Sequence, residues 1–278
     1  MTMVAAIQMT STRVLEENLA QAASLLAEAR DLGAELAVLP ENFAGYGIDY
    51  RALAAQYPRL RDWLGEQAVH HGMALVGGSI PSLTRPDGSE VPAPRVRTRA
   101  LAVNADGRLV GSYDKLHLFD AQVADAQGRY RESDLFEPGD QALTVPLAGL
   151  QVGLAICYDL RFPALAQTLA QQGADLLVYP SAFTAVTGAA HWQLLLRATA
   201  VQTGCHVRGA NLCGQHSARR ASYGHSMLVD PWGTVIDQLD NGSGVLVAPL
   251  DLATMESVRK RMPVMLHQRF SPKGPYEL

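Results

Sequence analysis

Three side chains in this sequence have the chemistry of an acyl-transfer centre, and each closes a short apolar run. Glu41 follows Leu-Ala-Val-Leu-Pro, Lys115 follows Gly-Ser-Tyr-Asp, and Cys157 follows Val-Gly-Leu-Ala-Ile. A thiol attacks a carbonyl only after losing its proton. Glu41 can take that proton as a general base and return it to a leaving amine. Lys115 can stabilise the thiolate and the oxyanion that follows. The backbone N–H of Tyr158, directly after the cysteine, is a second oxyanion donor.

Other constellations compete with this one. Cys205, His206, Cys213 and His216 form a compact set of zinc-type ligands. Their spacing is that of no ribbon or finger, and adjacent strand residues 205 and 206 point to opposite faces. A Cys–His pair, with His117, His191 or His225 as the base, is the catalytic rival to Glu41. Arg161, four residues after Cys157, suits a substrate carboxylate and suits Asp159 equally well. The chain has no HExxH, GxSxG, P-loop or GxGxxG, so no metalloprotease helix, serine elbow or nucleotide cradle is expected. Neither a cofactor nor a metal is expected.

These residues need elements to hold them. The periodicity predicts strands at Met3–Met9, Leu36–Leu39, Met73–Gly77, Arg99–Asn104, Leu109–Lys115, Cys205–Leu212, Ser226–Val229, Val235–Leu239 and Gly244–Pro249. Helices are predicted over Leu15–Leu32, Pro58–His71, Pro163–Gln172 and Gly188–Gly204, the first two stopped by Gly33 and Gly72. Ala105-Asp106-Gly107 signals a hairpin. Pro81–Thr98, rich in Pro and Arg, reads as an exposed excursion. His117–Asp140 reads as a long irregular loop of the kind that carries function.

The second half repeats the first. Gly33-Ala-Glu-Leu-Ala-Val-Leu-Pro-Glu-Asn-Phe43 resembles Gly173-Ala-Asp-Leu-Leu-Val-Tyr-Pro-Ser-Ala-Phe183, and each follows a strand and an alanine- and leucine-rich helix. Two βαβ units of one design predict an α/β fold with internal pseudo-symmetry, one domain over residues 1–270 and a tail at 271–278. Ligands of such sheets bind beyond the carboxyl ends of the strands, where Glu41, Lys115 and Cys157 fall.

Composition sets the outer limits. The chain has 278 residues, 48% apolar and 18% charged, with a net charge of −4. That length buries a core without disulfides or metal. The charge gives no basic field for nucleic acid. No apolar run is long enough for a membrane span, and the N-terminus lacks a signal-peptide pattern. Three cysteines make no closed disulfide set and read as reduced thiols, which points to the cytoplasm.

Three stretches, taken together, resemble the catalytic signatures of the nitrilase, or carbon–nitrogen hydrolase, superfamily. They are Pro40-Glu41-Asn42-Phe43, Tyr113-Asp-Lys115-Leu-His-Leu-Phe119 and Cys157-Tyr-Asp-Leu-Arg161-Phe-Pro163. The resemblance implies a Glu–Lys–Cys triad at Glu41, Lys115 and Cys157. It implies a four-layer αββα sandwich of two pseudo-symmetric halves, and a homodimer. It makes Glu132, in Tyr130-Arg-Glu-Ser133, a substrate-orienting or lysine-pairing residue. The stretches around Phe183, Thr184, Trp192 and Tyr223 resemble the deaminated-glutathione amidase branch more than the ω-amidase branch. Tyr158, Arg161, Phe183, Thr184 and Trp192 are therefore expected to line a substrate site. The expected reaction is hydrolysis of a small carboxylate-bearing 2-oxo-acid amide through a thioester on Cys157. The alternatives are an ω-amidase, a general aliphatic amidase, and a non-catalytic binding or thiol-sensing protein. Thr199, Gln202, His206, Arg208 and Leu212 depart from the branch pattern and are expected near the substrate. Arg208 is expected to join Arg161 in placing positive charge beside the nucleophile.

Overall fold

Two sheets built to one plan face each other in the computed structural model, which describes residues 1–269. The expected tail at 271–278 lies outside the described residues. In the first sheet, strands Thr2–Gln8, Leu36–Val38 and Ala74–Val76 run parallel. Gly244–Leu250 pairs antiparallel on one side, and Arg97–Val103 followed by Leu109–Asp114 on the other. In the second sheet, Leu150–Leu154, Leu176–Ser181 and His206–Asn211 are the parallel trio. Leu143–Leu147 flanks it on one side, and Met227–Val229 followed by Val235–Gln238 on the other. The order of parallel and antiparallel neighbours is the same in both, as the sequence repeat requires.

The central strands are apolar along their whole length because both faces are covered. Val4, Ala6, Leu36, Val38, Ala100 and Ala102 pack toward the second sheet, in one cluster with Val152, Leu154 and Val178. The alternate residues Ala5, Ile7, Ala37, Leu75 and Leu101 pack under the helices Leu15–Asp31 and Tyr57–His71. Helices Pro163–Gln171 and Ala185–Thr203 cover the outer face of the second sheet. The result is four layers, αββα.

Several boundaries differ from the sequence expectation for local reasons. The helix expected from Gly188 starts at Ala185, because the Thr184 hydroxyl accepts the Thr187 N–H at 3.1 Å and caps it. Part of the expected exposed excursion at Pro81–Thr98 is core. Arg97 and Thr98 are buried at the start of the strand expected to begin at Arg99, which is buried as well. Both arginines donate to Asp114, and Arg97 and Arg85 also reach Glu137. The loop expected over His117–Asp140 contains a two-stranded ribbon, Asp120–Gln122 with Arg129–Arg131, and a 3₁₀ turn at Glu132–Asp134. The hairpin Cys213–Ser217 with Arg220–Tyr223 and the helix Leu252–Arg261 were not expected. Among the described residues, no helix is long and apolar enough to cross a membrane.

Candidate active site

Glu41 stands three residues past the end of strand Leu36–Val38, and its loop needs a close approach. Gly78, at φ +41°, runs so near the Pro40 carbonyl that a Cβ there would collide with it. Ser79 fixes the next residue by accepting the Asn42 N–H at 3.0 Å. Lys115 follows strand Leu109–Asp114, its N–H bonded to Thr98 O at 2.9 Å and its carbonyl to Gly139 N at 2.8 Å. The buried Arg97–Asp114–Arg99 cluster anchors the residue before it. Cys157 opens a 3₁₀ turn, Cys157–Arg161, with φ at +47°, a strained conformation for a residue with a side chain.

The three side chains meet. Lys115 Nζ donates to Glu41 Oε1 at 2.8 Å and to Glu132 Oε2 at 2.8 Å. Glu132 Oε2 also accepts the Phe119 N–H at 2.7 Å. Cys157 stands close enough to Glu41 and Lys115 for both charges to act on its thiol. Glu41, Glu132 and Cys157 line a cavity of about 240 Å³. Lys115 is 1% exposed and lies beneath them.

Burial sets the electrostatics. It raises the Glu41 carboxyl above its ordinary value, with Glu132 adding to the rise and Lys115 opposing it. It raises the Cys157 thiol well above its ordinary value, helped by Glu41 and opposed by Lys115. Burial works against the charge on Lys115, but Glu132, Glu41 and Cys157 outweigh it and hold the ammonium charged well past the ordinary range. The resting site therefore holds a neutral thiol beside a permanent cation.

Of the residues expected to touch substrate, Tyr158, Arg161, Phe183 and Thr184 line the cavity. Trp192 does not: it is fully buried, donates to His225 O at 2.7 Å and packs against Phe183 from behind. Arg161 does not hold Asp159. That carboxylate accepts from Tyr113 Oη, Ile156 N and both donors of His117. Arg161 lies over the Tyr158 and Phe183 rings and meets His191 Nδ1 at 3.1 Å, with its charge turned to the cavity wall.

The rival bases lie elsewhere. His117 is spent on Asp159 and stacked on Phe162, His191 on Arg161, and His225 on Tyr223 O at 2.7 Å. None of them lines the cavity. The zinc-type set is scattered: Cys205 faces Ala174 O, His206 faces Asp251 O, Cys213 faces Thr10, and His216 bridges Ser11 and Ser222. Burial pushes His216 down to about 4. The expected substrate contacts Thr199, Gln202, His206, Arg208 and Leu212 are all outside the cavity wall. Arg208 points between the sheets instead, toward Ala248 O at 3.3 Å.

Reasoning from sequence missed Tyr46, Tyr130 and Arg220, which also line the cavity. Arg220 Nε donates to Tyr46 Oη at 2.6 Å, and its guanidinium lies over the Tyr46 and Tyr130 rings. The one signal available was the alternation Arg220-Ala-Ser222-Tyr, a strand with its even positions buried.

Two stacked pseudo-symmetric sheets with a glutamate, a lysine and a cysteine gathered at their strand ends define a class, the carbon–nitrogen hydrolases. The chain matches that family over residues 3–260 and belongs to it. It is 42% identical over 271 residues to deaminated glutathione amidase of Rattus norvegicus, covering 96% of this chain and 82% of that one. It is 36% identical over 269 residues to an omega-amidase of Mus musculus, covering 96% and 94%. The crystal structure of the C. elegans NitFhit protein superposes with a TM-score of 0.87 at 34% identity, covering 96% of this chain and 65% of that longer one.

Proposed function

We propose that the chain is a cofactor-independent thiol amidase for small carboxylate-bearing 2-oxo-acid amides, with deaminated glutathione the preferred substrate. The observation that carries this reading is the contact of one buried ammonium with Glu41 at 2.8 Å, with the Cys157 thiol lining the same cavity. In the first half-reaction Cys157 Sγ bonds to the amide carbon while its proton passes to Glu41. The charge developing on oxygen faces the Lys115 ammonium and the Tyr158 N–H. The C–N bond then breaks, and Glu41 returns the proton to the departing amine. In the second, water adds to the thioester, again losing a proton to Glu41, and the acid leaves as that proton returns to sulfur. Glu132 holds Lys115 from the far side. Arg161, over Tyr158 and Phe183, is suited to the carboxylate of the acyl group.

The similarity to an omega-amidase favours a second reading, in which the primary 5-amide of 2-oxoglutarate is the better substrate. The deciding experiment compares kcat/KM for deaminated glutathione, that primary amide, a short aliphatic amide and a nitrile. Best turnover of the aliphatic amide or the nitrile overturns the substrate class and leaves the triad in place. One amine released per chain without turnover would mark a thiol-sensing protein instead.

A homodimer fits the surface. Helix Ala185–Thr203 carries one charged residue, Arg197, and its outer face shows Val186, Leu194 and Val201 to solvent beside exposed Trp232 and Leu266. Light scattering on the wild type and on Leu194→Asp tests this pairing. We read residues 1–270 as one catalytic domain, since Glu41 and Lys115 come from one half and Cys157 from the other. Three buried free cysteines support a reducing, cytoplasmic setting.

A further inference from the structure

Arg220 is 5% exposed, lines the cavity, and has no carboxylate within ion-pair distance among the described residues. Every other arginine buried to that degree beside the site is paired: Arg97 with Asp114 and Glu137, Arg99 with Asp114. The nearby carboxylates are engaged elsewhere. Glu41 and Glu132 both face Lys115, and Asp125 takes the Tyr130 hydroxyl at 2.7 Å. A buried guanidinium held only by neutral oxygens is costly unless an anion reaches it.

Its fixed contacts leave room for that anion. Nε is bonded to Tyr46 Oη, Nη1 to Ala221 O and Nη2 to Ala182 O. A guanidinium has five N–H donors, so one remains on each terminal nitrogen. Tyr46 and Tyr130 hold the plane by stacking. The group is thus prepared before any ligand arrives.

The position indicates which part of a substrate it meets. Tyr46 lies on the loop that carries Glu41, and both line the cavity. Glu41 hands its proton to the departing amine, so the amine lies on this side. Arg161 lies on the Cys157 turn, with Tyr158 and Phe183, on the side of the acyl group. Building on the amidase reading above, we propose that Arg220 binds a second carboxylate, carried by the leaving amine. The preferred substrates are then dianions, with an acid group on each side of the scissile amide. The primary 5-amide of 2-oxoglutarate, which releases ammonia, leaves this site unfilled.

The test removes the charge from the ligand rather than from the protein. Deaminated glutathione carries a carboxylate at the end of its cysteinylglycine portion, and its C-terminal amide does not. Wild-type kcat/KM should favour the free acid at least tenfold, mostly through KM, as a charge-assisted contact in a water-poor site requires. In Arg220→Gln this ratio should collapse toward one, and Arg220→Lys should restore part of it. Equal use of the two substrates by the wild type overturns the proposal. So does an Arg220→Gln protein that loses activity on both while keeping the ratio, because Arg220 would then only tie its hairpin to Ala182. If the wild type hydrolyses neither, the amidase reading fails at its substrate. Binding of the same two ligands to Cys157→Ala, measured by calorimetry, still decides for or against Arg220 by the same ratio.

Discussion

Tyr113 donates its hydroxyl to Asp159 Oδ2 at 2.7 Å, across the join between the two halves of the molecule. Tyr113 lies two residues before Lys115, and Asp159 two residues after Cys157. The bond therefore ties the strand bearing the ammonium to the turn bearing the thiol. The same carboxylate takes the Ile156 N–H at 2.8 Å and both His117 donors, so the strained turn at Cys157 is fastened on three sides.

Tyr113→Phe should show whether this link sets the geometry of the site. Loss of a hydrogen bond to a buried carboxylate costs about 1.5–3 kcal/mol. We expect a fall in stability of that order in urea, together with at least a tenfold fall in kcat and little change in KM. A stability loss with kcat untouched would confine Tyr113 to holding the fold together.

The choice of base is testable by substitution. Glu41→Gln should stop both acylation and deacylation, since one carboxylate serves both steps. Cys157→Ala should lose roughly 10⁴-fold or more with the fold intact. His117→Ala, His191→Ala and His225→Ala should lose less, because none of the three rings lines the cavity. Burst and steady-state assays on folded variants separate these outcomes. A histidine variant that is inert while Glu41→Gln still turns over would move the base to that histidine.

Lys115 should act by its charge. Lys115→Met should cost at least the ~10²–10³-fold typical of one lost oxyanion donor. It also removes the cation that opposes the rise in the Cys157 thiol, so alkylation at neutral pH should slow. Iodoacetamide kinetics read this directly, and an unchanged rate would separate Lys115 from the thiol.

The sequence carried the strand ends well and the side-chain surroundings poorly. Glu41, Lys115 and Cys157 each follow an apolar run, and the repeat around Gly33 and Gly173 fixes two equivalent strands, so the rim could be assembled on paper. Trp192 and Arg208 show where that stops. Both lie in stretches resembling substrate-contacting segments, yet one faces the helix–sheet core and the other the space between sheets. For Arg208, inward and outward positions on a strand buried on both faces are alike in composition, so nothing local told them apart. Arg97 reversed an expectation for a related reason: its partners Asp114 and Glu137 are distant in sequence and complementary only once folded.

The pH profile should report the environment of Glu41. Burial and Glu132 raise its carboxyl above the ordinary 4.5. The base works ionised, so activity is lost as pH falls through its pKa, and a raised pKa moves that loss to higher pH. The acid limb of kcat/KM should therefore lie above 4.5. Glu132→Gln removes a negative neighbour, which lowers the Glu41 pKa and shifts the limb toward lower pH. A shift in the opposite direction would show that another group controls the limb.

Arg208 offers a test of stability separate from catalysis. It is fully buried in strand His206–Asn211, and burial pushes its guanidinium well below the usual arginine range. Nη2 reaches Ala248 O at 3.3 Å, but Nε and Nη1 have no partner among the described residues, nor does Nδ1 of His206 two residues earlier. The surroundings are apolar: its strand partners are Val178 and Leu228. An unpaired cation there opposes folding, and an apolar side chain of similar length removes the penalty. Arg208→Met should therefore raise stability by about 1 kcal/mol or more, which for a chain of this size is roughly 2–4 °C in Tm. Turnover should not change, because Arg208 lies outside the cavity wall. Calorimetry and kcat/KM on the same protein check both halves. A lower Tm would mean that Arg208 is held by a polar partner between the sheets, and a lower kcat/KM at unchanged Tm would bring it back to the substrate.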